Sequence, residues 1–112
     1  MTLHCENISF TDLAGQFGTP LYVYSQSALT EAFCAYTSAF STLSPLVCYA
    51  VKANGNLSLL KHFAALGSGF DIVSGGELAR VLAAGGAVRH ILGGLSLCRL
   101  AEVRRHHRLR GA

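Results

Sequence analysis

Leu46-Val47-Cys48-Tyr49-Ala50-Val51 is a continuous apolar run with no alternation of polar and apolar positions. A strand that shows one face to water alternates, whereas a strand buried on both faces, as in a parallel sheet, does not. The residues after it narrow the choice further. Lys52-Ala53-Asn54-Gly55 reads as a loop, and Asn56 caps a helix with apolar positions Leu57, Leu60, Phe63 and Ala64, flanked by Leu59 and Leu66. Gly67 is placed to end that helix in the left-handed region. Phe70-Asp71-Ile72-Val73 is the next short strand. Ser74-Gly75-Gly76-Glu77 then has the spacing of a capping box, opening a helix through Leu78, Val81 and Leu82 that stops at Gly85-Gly86. His90-Ile91-Leu92 begins a third strand. The order strand, helix, strand, helix, strand with short connections predicts a parallel α/β sheet or barrel with right-handed crossovers.

Residues 1–45 read differently. Positions 1–19 are polar and mixed, closing on the turn Phe17-Gly18-Thr19-Pro20. Leu21-Tyr22-Val23-Tyr24 is short, aromatic and branched, the composition of a strand. Leu29, Phe33, Tyr36 and Phe40 recur on one face of a helix with Ser27 as its N-cap, and the Ser/Thr/Pro stretch 41–45 ends it.

With 51% hydrophobic and 13% charged residues, the chain is too apolar for intrinsic disorder, and its 112 residues bound it at one domain. The net charge of +3 hides an asymmetry. Met1–Val88 carries three bases and five acids, while Arg89–Ala112 carries six arginines and one acid, Glu102. A basic end can bind nucleic acid, but no base-reading motif accompanies it, so a solvated face is the favoured reading. Cys5, Cys34, Cys48 and Cys98 have neither paired spacing nor histidines at ligand spacing, which argues against a disulfide framework or a metal site. The N-terminus lacks a signal-peptide pattern and the uncharged stretch between Glu31 and Lys52 is rich in Ser and Thr. A cytoplasmic protein with no membrane partner is expected.

In parallel α/β folds, chemistry collects at the carboxyl ends of strands. Lys52 follows the first buried strand, Asp71 lies within the second and Glu77 stands just beyond it. A lysine desolvated at such a strand end has a lowered pKa and a nucleophilic amine; the alternative is a lysine that snorkels to water. Asp71 needs a partner if it is buried, and Glu77 is accounted for by helix capping alone. Gly75-Gly76 offers bare amides at a helix start, though no dinucleotide or nucleotide fingerprint accompanies it. His62, among apolar neighbours, reads as structural.

Three motifs occur in register: Phe17-Gly18-Thr19-Pro20-Leu21-Tyr22-Val23-Tyr24, Tyr49-Ala50-Val51-Lys52-Ala53-Asn54, and Gly67-Ser68-Gly69-Phe70-Asp71-Ile72-Val73-Ser74-Gly75-Gly76-Glu77-Leu78. Together they resemble the N-terminal part of the diaminopimelate decarboxylase family, alanine-racemase-like pyridoxal-phosphate enzymes of fold type III. The likeness covers about residues 14–88. It implies the N-terminal portion of a parallel (β/α)8 TIM-type barrel, incomplete here and preceded by a strand and a helix. Residues 1–45 would form the strand–helix segment, 46–91 the first βα units of the cofactor-binding barrel, and 92–112 a divergent basic tail. Under the resemblance, Lys52 holds pyridoxal 5'-phosphate and is the catalytic lysine, with Asp71 and Glu77 close to the cofactor. The implied reaction is decarboxylation of meso-diaminopimelate to L-lysine. The implied partners are a small-molecule amino-acid substrate and, in full-length members, a second copy in a homodimer.

From Leu92-Gly93-Gly94 onward the sequence departs from the family pattern. The expectation for this tail is out-of-frame or otherwise abnormal coding sequence closed by an early stop, or a helix carrying Arg99, Arg104, Arg105 and Arg108. A complete barrel needs ~250 residues, so two βα units and the start of a third are expected to be inactive alone. The alternatives are a related pyridoxal-phosphate amino-acid decarboxylase, or a non-catalytic α/β fragment whose basic tail binds nucleic acid.

Overall fold

A computed structural model describes residues 2–87 and 90–93, so the tail after residue 93 lies outside the described residues. The chain forms two compact units, Met1–Thr42 and Leu43–Ala112.

In the first unit, β1 (His4–Cys5) and β2 (Ile8–Ser9) pair antiparallel, with Cys5 opposite Ile8. α1 (Phe10–Phe17) and α2 (Gln26–Ala39) follow. Ser9 caps α1: its hydroxyl oxygen accepts from the Asp12 amide at 3.0 Å and its O–H donates to the Asp12 carboxylate at 2.6 Å. That Ser-x-x-Asp pattern is the local sign of a helix start within the polar, mixed stretch 1–19. α2 begins two residues earlier than expected and its N-cap is Ser25, whose Oγ accepts from the Ala28 amide. Ser27 instead meets Glu6. The Glu6 carboxylate oxygen Oε1 accepts from the Ser27 amide at 2.9 Å, the Ser25 hydroxyl at 2.9 Å and the Ser27 hydroxyl at 3.1 Å. These bonds accompany a backbone that holds Glu6 at φ 54°, a left-handed conformation unfavourable for any residue with a Cβ.

The same bonds, led by the Ser27 amide, hold the Glu6 carboxyl below its usual range. A lowered folded pKa means the contribution is present above the unfolded value and disappears as pH falls through the folded one. Acidification below the ordinary glutamate range is therefore expected to free the start of α2. NMR titration of the Ser27 amide shift checks this, and a shift that stays flat through the acid range would contradict it.

Leu21–Tyr24 is not a strand. A strand needs a neighbouring ladder, and among the described residues none runs beside this stretch; Tyr22 is 87% exposed. The apolar face expected on α2 is present as a helix face, but Tyr36 and Phe40 are exposed, and Phe40 lies at the C-cap beyond the last turn.

A 3-10 turn (Ser41–Leu43) spans the boundary between the units, and the second unit continues with β3 (Cys48–Ala50). A second 3-10 turn (Val51–Ala53), α3 (Leu57–Ala65), β4 (Gly69–Ile72), α4 (Gly75–Ala83) and β5 (Ile91–Gly93) follow. The strands form one parallel sheet in the order β3-β4-β5, with Cys48 opposite Gly69 and Phe70 opposite Ile91. The expected parallel α/β alternation is what the chain adopts. Asn56 caps α3 through the Ser58 amide at 2.9 Å, and Gly67 and Gly85 take φ 84° just past the two helices. Residue Leu59, rather than Leu57, joins Leu60 and Phe63 in the buried stripe of α3.

Sheet alternation puts Tyr49, Phe70, Ile72 and Ile91 on one face, where Phe63 of α3 stacks on Tyr49 with ring centroids 4.5 Å apart. Leu60, Val81, Phe70, Ile72 and Val51 are the largest fully buried side chains. Each contributes roughly 1.5–3 kcal/mol through burial. Cys48, Ala50, Asp71 and Leu92 share the opposite face, which is half-buried to exposed.

β4 begins at Gly69 because nothing larger fits. A Cβ there would come within 2.4 Å of Cys48 Sγ and 2.8 Å of the His90 carbonyl oxygen. The thiol can rotate, but the carbonyl belongs to the backbone leading into β5. Gly69→Ala is expected to destabilise the unit by about 1–3 kcal/mol, net of the small gain from a stiffer unfolded chain. Urea denaturation measures it; a stability equal to the parent's would show that β5 yields freely.

Candidate functional site at the carboxyl edge of the sheet

The parallel arrangement brings the carboxyl ends of β3, β4 and β5 to one edge. Lys52 occupies the middle of the 3-10 turn that leaves β3. Asp71 lies one residue before the end of β4, opposite Ala50, and Glu77 is in the first turn of α4 immediately beyond. All three sequence-predicted residues therefore gather at this edge.

Their environments differ from one another. Lys52 is exposed, because the chain curls into the turn at Val51 and carries the lysine out while Val51 goes into the core at 1% exposure. Of the two readings of this lysine, the one that reaches water is what the structure shows. Asp71 is half-buried, so it stays in reach of water and needs no buried partner. The described residues contain no buried side-chain nitrogen or oxygen without a hydrogen-bond partner. Glu77 Oε2 accepts from the Val73 amide at 2.7 Å, while the Glu77 amide donates to Ser74 Oγ at 3.2 Å. The capping box is thus built, with the carboxylate reaching the residue before the cap. Its other oxygen, Oε1, retains capacity to accept from a ligand.

Cys48 lies on the same sheet face as Asp71. Partial burial, reinforced by the Asp71 carboxylate, pushes its thiol above the usual range and keeps it a poor nucleophile. Cys5, Cys34 and Cys48 are free thiols. His62 is half-buried on α3, its ring 6.3 Å from that of Phe63, in keeping with a structural role. No described helix is long and apolar enough to cross a membrane.

Two residues escaped the sequence reading. The Tyr49 hydroxyl donates to the Asn54 carbonyl at 3.2 Å, and Arg80 Nη1 of α4 donates to the Gly55 carbonyl at 3.2 Å. Tyr49 was hidden inside an apolar run and Arg80 on the polar side of a helix. Neither position carries a spacing signal that points to a loop 5 or 25 residues away.

The sequence model of the pyridoxal-dependent decarboxylases, pyridoxal binding domain, matches residues 26–105. The chain belongs to the pyridoxal-dependent decarboxylase family. The match ends within the basic segment that follows residue 91. Among curated relatives, diaminopimelate decarboxylase of Neisseria meningitidis serogroup A is 74% identical over 96 residues, covering 85% of this chain and 24% of the relative. The Vibrio cholerae diaminopimelate decarboxylase is 56% identical over 84 residues, 75% of this chain and 20% of the relative. The crystal structure of diaminopimelate decarboxylase from M. jannaschii in co-complex with L-lysine superposes with a TM-score of 0.77 at 33% identity, covering 82% of this chain and 23% of that one. The chain spans about a quarter of the length of the curated relatives it matches. The three parallel strands and two helices described in the second unit are accordingly an open arc of the decarboxylase barrel.

Family membership implies pyridoxal 5'-phosphate as cofactor. The residues at the sheet edge fit that group chemically. The edge holds an exposed primary amine, the kind of group that condenses with an aldehyde, and two carboxylates.

Proposed function

We propose that this chain contributes the cofactor-lysine segment of a diaminopimelate decarboxylase, an enzyme that converts meso-diaminopimelate to L-lysine and carbon dioxide in lysine biosynthesis. The observation that carries the reading is Lys52 standing directly after the first parallel strand, at the edge shared by Asp71 and Glu77. Residues 46–91 supply the first βα units of the cofactor-binding barrel, 1–45 precede it, and 92–112 form its basic, divergent extension. The relative from M. jannaschii binds L-lysine, the product of the proposed reaction, which supports a small amino acid as ligand.

In this reading Lys52 Nζ holds the cofactor covalently and, when displaced by the substrate amine, carries a proton to or from the reacting carbon. Asp71 and the Oε1 oxygen of Glu77 accept hydrogen bonds from cofactor or substrate, with Glu77 fixed by its bond from Val73. The chemistry supplied by bound pyridoxal phosphate is that of an electron sink for the bond broken as carbon dioxide leaves. The full-length enzyme works in the cytoplasm, as a homodimer.

The test is reductive trapping. Incubation with pyridoxal phosphate followed by borohydride is expected to label Lys52 ahead of Lys61, the other lysine. Peptide mapping of the parent and of Lys52→Ala reads the result. Label that persists at the parent level in Lys52→Ala would sink the assignment.

A further inference from the structure

Two side-chain donors converge on the backbone that follows Lys52. The 3-10 turn Val51–Ala53 is only three residues long, its N-cap Ala50 supplies no side-chain bond, and Asn54 is already extended at φ −163°. So short a turn has little cooperative stability of its own. The bond from the Tyr49 hydroxyl to the Asn54 carbonyl joins the strand before the turn to the residue after it. Arg80 Nη1 takes the next carbonyl, that of Gly55. The arginine stem lies close along this backbone, since a Cβ on Gly55 would meet Arg80 Cδ at 3.4 Å. Asn54 Oδ1 in turn accepts from the Asn56 amide at 3.0 Å, tying the same segment to the N-cap of α3.

We infer that Tyr49 and Arg80 are positioning residues, which clamp the Lys52 turn from the sheet and from α4 and so fix where the ε-amine stands at the sheet edge. The inference rests on Lys52 being the group that takes pyridoxal phosphate. Both donors are themselves anchored. The Tyr49 ring is stacked on Phe63, which is 7% exposed, and Arg80 projects from a helix whose Leu78 and Val81 are in the core. Motion of the lysine backbone is therefore tied to three packed elements rather than left to an exposed loop. A guanidinium suits the role, because its fork reaches a backbone carbonyl while the rest stays in water.

The experiment uses the whole chain and its internal reference, Lys61, an exposed residue on α3. Short exposures to pyridoxal phosphate and borohydride give the ratio of Lys52 to Lys61 labelling, with far-UV circular dichroism recorded alongside. Tyr49→Phe keeps the ring stack and removes only the hydroxyl; it is expected to lower the ratio about fivefold. Arg80→Met should lower it similarly, and Arg80→Lys, which restores a donor, should recover most of the loss. A purely structural role would not move this ratio in proteins with unchanged dichroism. If one variant loses its helical signal, the other decides. Ratios within twofold of the parent in folded Tyr49→Phe and Arg80→Met would overturn the clamp. A parent chain that labels Lys52 no faster than Lys61 would instead overturn the Lys52 reading beneath it.

Discussion

Phe70→Ala is expected to lower the stability of the second unit by about 3–5 kcal/mol, the range for truncating a fully buried phenylalanine. Domains of this size have only about 5–15 kcal/mol in total, so the variant should be largely unfolded at modest urea. Phe70 is 0% exposed on the central strand, opposite Tyr49 on one side and Ile91 on the other. Its neighbours cannot close the gap. Gly86 is already so near that a Cβ on it would lie 3.1 Å from Phe70 Cε2 and 2.4 Å from Val81 Cγ1, and it has no side chain to move in. Phe17, which is 65% exposed, is the control, and Phe17→Ala is expected to change stability by less than about 0.5 kcal/mol. Urea unfolding followed by circular dichroism compares them. A loss under about 1 kcal/mol at Phe70 would contradict the packing.

Lys52→Ala is expected to have the opposite profile, with large loss of turnover and little loss of stability. The segment is 74% identical to its counterpart in the Neisseria meningitidis enzyme, so it can be exchanged into that protein. In the exchanged protein, carbon dioxide release from meso-diaminopimelate should fall at least about 10³-fold on replacing Lys52, as for loss of a positioned proton-transfer group. Lys52 is exposed and makes no hydrogen bond among the described residues, so truncation leaves no buried group unpaired. Its effect on stability should stay within about 0.5 kcal/mol. Lys61→Ala should retain nearly full activity. Turnover within tenfold of the parent in Lys52→Ala would remove the lysine from the mechanism.

The contrast between these two residues reflects what sequence makes legible. Helix starts were readable because a single side chain performs the capping locally: Asn56 and Ser74 bond amides within three residues of themselves. The alternation of elements from residue 46 was readable because burial on both faces leaves an unbroken apolar run. That run did not reveal where the ladder stops. Val51 is as apolar as a strand residue, yet its backbone turns and takes Lys52 out of the sheet with it. Leu21–Tyr24 shows the converse limit, since a stretch can have strand composition and still lack a neighbour to pair with. The positions of Lys52, Asp71 and Glu77 along one edge followed from topology. What anchors that edge, the Tyr49 hydroxyl and the Arg80 guanidinium, depends on long side chains meeting a distant carbonyl, and no local pattern encodes that.

The register of the sheet has a consequence for how the fold is reached. Cys48 meets Gly69 and Phe70 meets Ile91, so in both pairs a residue finds its partner 21 positions later. The entropy cost of closing a loop depends on its length, so it is the same at each step. As the polypeptide leaves the ribosome, each new strand can dock on the one before it after an equal length of chain has emerged. The sheet is thus suited to assembly in the direction of translation, with the Lys52 turn among the first parts of it to be set.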